Sequence, residues 1–221
     1  SYGGTTVSSD TVGNITGMSF GGAAWTYTWE HGRQLKTAAS GGTTWSYTYN
    51  SAGLRTGRSN GSTSYSYVYN GSKLTQMTKG SDTLYFAYDA SGPMSVTYNG
   101  TTYYYVTNLQ GDVTAILNTS GVAVVTYTYD AWGRVLTTGG SMAGTPGAVN
   151  PLRYRGYVYD QETGLYYLQT RYYSPVLRRF LTADAFVSTG QGQLGCNMFA
   201  YCNNNPVNMA DPSGTDSIAV T

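Results

Sequence analysis

The sequence predicts an all-β protein, and three observations carry that prediction. Among 221 residues there are 29 Gly, 23 Tyr and 32 Thr; Tyr and Thr favour strands, while Gly, Asn and Ser favour turns. Aromatics make up 14% against only 10% charged residues, which gives the chain the apolar surface that disordered segments lack. A motif of two aromatics separated by one residue, followed by a small polar turn, recurs along the chain, and such periodicity marks a repeat architecture. No Gly-X-Y period exists and Pro numbers 6, so collagen is excluded. Strand should therefore exceed about 35% and helix stay under about 10%.

The first units are Tyr27-Thr28-Trp29-Glu30-His31-Gly32-Arg33 and Tyr47-Thr48-Tyr49-Asn50-Ser51-Ala52-Gly53-Leu54-Arg55. Tyr67-Val68-Tyr69-Asn70-Gly71 and Phe86-Ala87-Tyr88-Asp89-Ala90-Ser91-Gly92 follow, so the second aromatics stand at 29, 49, 69 and 88. A degenerate copy covers Tyr103 to Asp112, Tyr127-Thr128-Tyr129-Asp130-Ala131-Trp132-Gly133 is the clearest, and Tyr157-Val158-Tyr159-Asp160 opens a longer variant. Alternation puts both aromatics of a unit on one face, so Tyr47 should share a face with Tyr49, and Tyr127 with Tyr129. The Asp or Asn side chain caps the turn and Gly supplies positive φ. Asn60-Gly61 and Asn99-Gly100 are expected at hairpin tips, the second as a two-residue turn. Each unit of about 20 residues is thus two strands and two turns, and successive units extend one antiparallel meander.

The pattern changes near residue 140, where Gly139 to Gly147 has loop composition; the chain divides into 1–140 and 141–221. Beyond the loop Arg153, Arg155, Arg171, Arg178 and Arg179 cluster, and they are expected to pair with Asp160, Glu162 and backbone carbonyls. One short helical turn is expected between Gln191 and Asn208, before Asn203-Asn204-Asn205-Pro206.

Composition also narrows function. A net charge of +1 offers no field to hold nucleic acid or an anionic membrane. No apolar stretch approaches the ~18 residues of a spanning helix. The start carries neither a Met nor a signal peptide and reads as the beginning of a piece of something longer. The single histidine, His31, sits in a solvated-looking turn, which argues against Ser-His or Cys-His catalysis; no metal set or cofactor is expected. Cys196 and Cys202 read either as a pair or as two buried thiols, the second favoured because free Cys is so often buried.

At this point the residues carry a resemblance. The units resemble the YD repeats of the Rhs and teneurin proteins. The stretch from Asn150 to Gly214 is similar to the Rhs repeat-associated core domain that closes such arrays. It carries Asn150-Pro151-Leu152-Arg153-Tyr154-Arg155-Gly156-Tyr157, Gly164-Leu165-Tyr166-Tyr167-Leu168, Arg171-Tyr172-Tyr173-Ser174-Pro175, Arg179-Phe180, Asn204-Asn205-Pro206-Val207-Asn208 and Asp211-Pro212-Ser213-Gly214. The resemblance implies a hollow β-shell fragment of 1–140, plugged by a core domain at 141–221. It further implies a bacterial, secreted or cell-surface polymorphic-toxin protein. Its partners would be upstream shell repeats and its own C-terminal toxin cargo, which is not within these residues.

The same resemblance implies self-cleavage just beyond the DPSG motif, near Thr215-Asp216. By motif the arginine is Arg171, the first aspartate Asp184 thirteen residues on, and the second Asp211. Such chemistry needs two carboxylates able to share a proton, one acting on water and the other on the scissile carbonyl. Two positions depart from the family pattern: Ala185 replaces the usual Pro, and Thr215 stands where Leu is common. The alternative for these residues is a structural plug whose aspartates cap turns. Another functional class also fits the residues: an extracellular adhesion module stacking its tyrosines on carbohydrate.

Overall fold

The computed structural model describes residues 5–184, 197–215 and 217–219. Fourteen strands form one antiparallel sheet in strict chain order. They are β1 (Thr6–Ser9), β2 (Ile15–Phe20), β3 (Ala23–Glu30), β4 (Gln34–Ser40), β5 (Thr43–Tyr49), β6 (Arg55–Ser59) and β7 (Ser64–Asn70). The meander continues through β8 (Lys73–Lys79), β9 (Asp82–Tyr88), β10 (Pro93–Tyr98), β11 (Thr101–Thr107), β12 (Val113–Leu117), β13 (Ala123–Tyr129) and β14 (Val135–Gly139). A short helix α1 (Pro146–Val149) begins in the last two residues of the stretch expected to be loop and runs past its end. A four-stranded sheet follows, β15 (Val158–Asp160), β16 (Leu165–Tyr167), β17 (Tyr172–Ser174) and β18 (Arg179–Phe180), then the pair β19 (Met209–Ala210) and β20 (Ile218–Ala219). Among the described residues 52% are in strand, as the composition requires. The expected helical turn is a 3-10 turn at Cys202–Asn204 that includes two of the asparagines rather than stopping before them.

The turn chemistry is that of the sequence. Asn99 and Gly100 form a two-residue turn with φ of 48° and 85°, the backbone that an Asn-Gly pair tolerates best. Asn60-Gly61 also sits at a hairpin tip, in a wider loop closed by Asn60 N–H donating to the Thr63 carbonyl at 3.1 Å. Within the YD units, Asn50 Oδ1 accepts the Ala52 and Leu54 N–H groups at 3.0 Å, and Asp130 Oδ1 accepts those of Trp132 and Arg134 at 2.9 Å.

Tyr47 and Tyr127 are buried, and Tyr49 and Tyr129 pack against the same core, so both pairs share a face as the alternation demands. The other face carries hydroxyl pairs such as Thr28–Thr37 at 2.6 Å and Thr128–Thr137 at 2.7 Å. One feature was invisible to alternation. In these units the strand after the turn carries an extra residue opposite the second aromatic, or opposite Thr107 in the degenerate copy: Lys36, Thr56, Thr75, Met94, Thr114 and Leu136. These are β-bulges, which bend the strand and raise its twist.

In four units the second aromatic reaches back one unit, while Tyr105 of the degenerate copy donates forward to Asn150 Oδ1 at 2.6 Å. Trp29 Nε1–H donates to the Ile15 carbonyl at 2.8 Å; Tyr49, Tyr88 and Tyr129 hydroxyls donate to the Leu35, Leu74 and Val113 carbonyls at 2.9, 2.8 and 2.7 Å. Every backbone acceptor immediately precedes a bulged residue, which for Ile15 is Thr16, left unpaired between Ile15 and Gly17. Tyr69 breaks the series, because its buried hydroxyl has no partner. Tyr49→Phe should therefore cost about 1 kcal/mol, while Tyr69→Phe should be neutral or slightly stabilising. Urea midpoints of the two variants check this; equal losses would contradict the assignment.

Tyr157-Val158-Tyr159-Asp160 matches the repeat in letters yet does not extend the meander. It opens the second sheet, and the Asp160 carboxylate goes to Arg55 of the first sheet instead of capping its own turn.

Candidate functional site

The hairpin between β16 and β17 delivers Arg171 into a buried setting, with the Leu168 N–H donating to the Arg171 carbonyl at 3.0 Å. The guanidinium lies 3.6 Å over the Phe180 ring. Its Nη2 is 2.7 Å from Asp184 Oδ2 and 3.4 Å from Asp211 Oδ2. Nη1 donates to the Met198 carbonyl at 2.9 Å, and Nε donates to the Gly214 carbonyl. Arg171, Asp184 and Asp211 thus meet around one guanidinium, and all three are buried. Ala185, Asp216 and Cys196 lie outside the described residues.

Asp211 uses its two oxygens differently. Oδ2 faces Arg171, while Oδ1 accepts the Gly214 and Thr215 N–H groups at 2.7 and 3.0 Å. The same residue therefore caps the DPSG turn and joins the aspartate pair, so the two sequence readings share one side chain. Sequence reasoning missed Thr170, whose hydroxyl lies 2.8 Å from the Ser213 carbonyl and 3.0 Å from that of Gly214. Nothing in the sequence flags it beyond its place next to Arg171. It also missed Tyr157, whose hydroxyl accepts the Asp211 N–H at 2.9 Å. Cys202 is buried and free; burial pushes its thiol up to about 12, so it stays protonated and is no nucleophile.

Burial raises the Asp211 pKa to about 6, against the lowering pull of Arg171 and of the turn N–H groups. Burial also lowers the Arg171 pKa, opposed by the two aspartates. An acid whose folded-state pKa lies above its unfolded value binds its proton more tightly when folded. Asp211 should therefore add stability as pH falls from about 6 toward about 4, and that contribution is lost as pH rises through about 6. Denaturant midpoints compared at pH 4.5 and 7.5, wild type against Asp211→Asn, check this: the substitution should remove part of the slope.

The arginines of the second half do not pair as expected. Asp160 and Glu162 are taken by Arg55 and Arg58 of β6, at 2.9 Å (Arg55 Nη2 to Asp160 Oδ1) and 2.6 Å (Arg58 Nη1 to Glu162 Oε2). Arg153 and Arg155 do reach carbonyls, those of Asn150 and Gly147 and those of Gln110 and Pro206. Arg153 is as buried as Arg55 and Arg58, but carbonyls of its own segment already satisfy it, whereas the two β6 guanidinia find their counter-charge in Asp160 and Glu162.

The Teneurin YD-shell family model matches residues 86–207. The tRNA nuclease WapA of Bacillus subtilis (strain 168) is 44% identical over 102 residues, 46% of this chain and 4% of WapA. The toxin protein Tse5 of Pseudomonas aeruginosa is 41% identical over 69 residues, 31% of this chain and 5% of Tse5. The solved structure of TcdB2-TccC3-Cdc42 superposes with a TM-score of 0.70 at 18% identity, covering 96% of this chain and 13% of that one. The chain thus spans only a small part of each relative's length, and the likeness to the solved structure is one of fold.

Proposed function

From the premise that the chain belongs to the Teneurin YD-shell family, we propose that it forms the final wall strands (1–140) and the plug (141–221) of a larger Rhs-type shell. The shell would enclose a C-terminal toxin cargo, with upstream repeats completing the wall, in a bacterial protein acting outside the cell or at its surface. The observation that carries this reading is the covering of the sheet's aromatic face by the segment after residue 150: Tyr49 and Tyr172 hydroxyls meet at 2.9 Å, and Trp29 and Tyr47 both pack on Tyr172. The same burial weakens the carbohydrate-binding alternative, since unit aromatics such as Trp29, Tyr47 and Tyr49 are under the plug, although Tyr85 and Tyr104 stay exposed.

Self-cleavage is the second part of the proposal. Asp184, in the tighter contact with Arg171, acts as base on a water; Asp211, protonated near pH 6, donates to the scissile carbonyl. One water is consumed, the bond near Thr215-Asp216 breaks, and a new carboxylate and a new amine result. The convergence of the three side chains on one nitrogen supports this reading. A chain extended past Thr221 by a reporter, purified and incubated at pH 5 and pH 7, should break near Thr215-Asp216 without added protease, as read by intact mass. A chain that stays whole for days leaves the plug without the protease.

A further inference from the structure

Most wall repeats place one buried residue just before the bulge and another two residues beyond it; around the bulges at Met94 and Leu136, Pro93 and Val135 are only half-buried and Thr138 is exposed. The first position holds Ile15, Leu35, Leu74 and Val113; the second holds Met18, Ala38, Met77, Val96 and Ile116, all buried. The unit between those of Leu35 and Leu74 departs from this apolar rule at both positions, with Arg55 and Arg58. Both are buried, with Arg55 fully so.

Each guanidinium is boxed by aromatics. Arg55 lies 4.6 Å from the Tyr67 ring of the wall and 4.6 Å from the Tyr167 ring of the plug. Arg58 lies 3.8 Å from Tyr65 and 5.1 Å from Trp45. Their counter-charges come from across the interface: Asp160 grips both Nη atoms of Arg55, and Glu162 meets Arg58. The Arg55 backbone N–H also donates to the Tyr167 hydroxyl at 2.9 Å.

A buried ion pair adds little net stability over apolar side chains of similar volume, but a buried charge left without its partner is strongly unfavourable. Neighbouring repeats present nearly the same aromatic surface to the plug. Displaced by one unit, Asp160 and Glu162 would face Leu35 and Ala38, or Leu74 and Met77, and Arg55 would be stranded. We propose that Arg55 and Arg58, read by Asp160 and Glu162, are an address that fixes which wall unit the plug docks on. This inference is independent of self-cleavage.

The test uses the full chain with a photo-crosslinking residue at the exposed Gln161, between the two acids. Wild type should label only the region of β6 and β7. Arg55→Leu should lower the urea midpoint, and Arg55→Leu with Asp160→Leu should recover it. The double variant should nonetheless spread roughly a tenth or more of the crosslink onto β4 or β8, as a second placement becomes populated. A double variant that recovers the midpoint and keeps the wild-type crosslink map overturns the proposal; so does one that fails to recover it, because the pair then acts through stability alone. Glu162→Gln, at the partly exposed acid, is the milder variant should Arg55→Leu not fold: spread with little change in midpoint supports the address, and an unchanged map counts against it.

Discussion

In a chain extended past Thr221, Asp184→Asn is expected to slow self-cleavage by between about a hundred- and ten-thousand-fold, the range typical of losing a positioned acid or base. Asn keeps the shape and a hydrogen-bond acceptor for Arg171 Nη2, which sits 2.7 Å from Asp184 Oδ2, but it does not accept a proton from water. Asp211→Asn should be equally damaging to cleavage and gentler on the fold, because an Asn oxygen can still accept the Gly214 and Thr215 N–H groups that Asp211 Oδ1 now holds. A mass-spectrometric time course at pH 5 to 7 reads both. An Asp184→Asn variant that cleaves at the wild-type rate removes Asp184 from the chemistry.

Arg171→Met should be among the most destabilising single changes in the second half of the chain, at about 3–5 kcal/mol. The substitution leaves two buried carboxylates without their cation and takes donors from the Met198 and Gly214 carbonyls. For a chain of this size that corresponds to a fall in Tm on the order of 10 °C. Arg171→Lys should recover part of the loss, since it keeps the charge but not the planar fork that reaches four groups at once. Calorimetry of the two variants decides it, and an Arg171→Met variant melting with wild type would show that the cluster contributes nothing to the fold.

The all-β class, the hairpins and the shared face of the aromatic pairs were legible because each depends on residues a few positions apart. Asn99-Gly100 spells its own backbone, and Tyr127-Thr128-Tyr129 spells its own facing. The bulges were not legible, because an extra residue is defined only against the partner strand. Nor was the choice of partner for Asp160: it stands 105 residues from Arg55, and the local letters around Tyr157 point to another wall unit. The clue lay in Arg55 and Arg58 themselves, polar residues at positions that the units on either side fill with apolar ones. For the aspartate cluster, motif spacing named Arg171, Asp184 and Asp211, whereas Thr170 enters only through the fold of its hairpin.

The bulges carry a consequence for size. Each one bends its strand, and the extra residue recurs at 36, 56, 75, 94, 114 and 136, the same point of these units. Bends repeated at the same point of successive units add up, as wedge-shaped stones do in an arch. Curvature is then set within the repeat and path length by how many repeats there are. Evolution can enlarge such a vault by duplicating stones without redrawing any of them, except at the one course marked by Arg55 and Arg58, where the keystone has to find its seat.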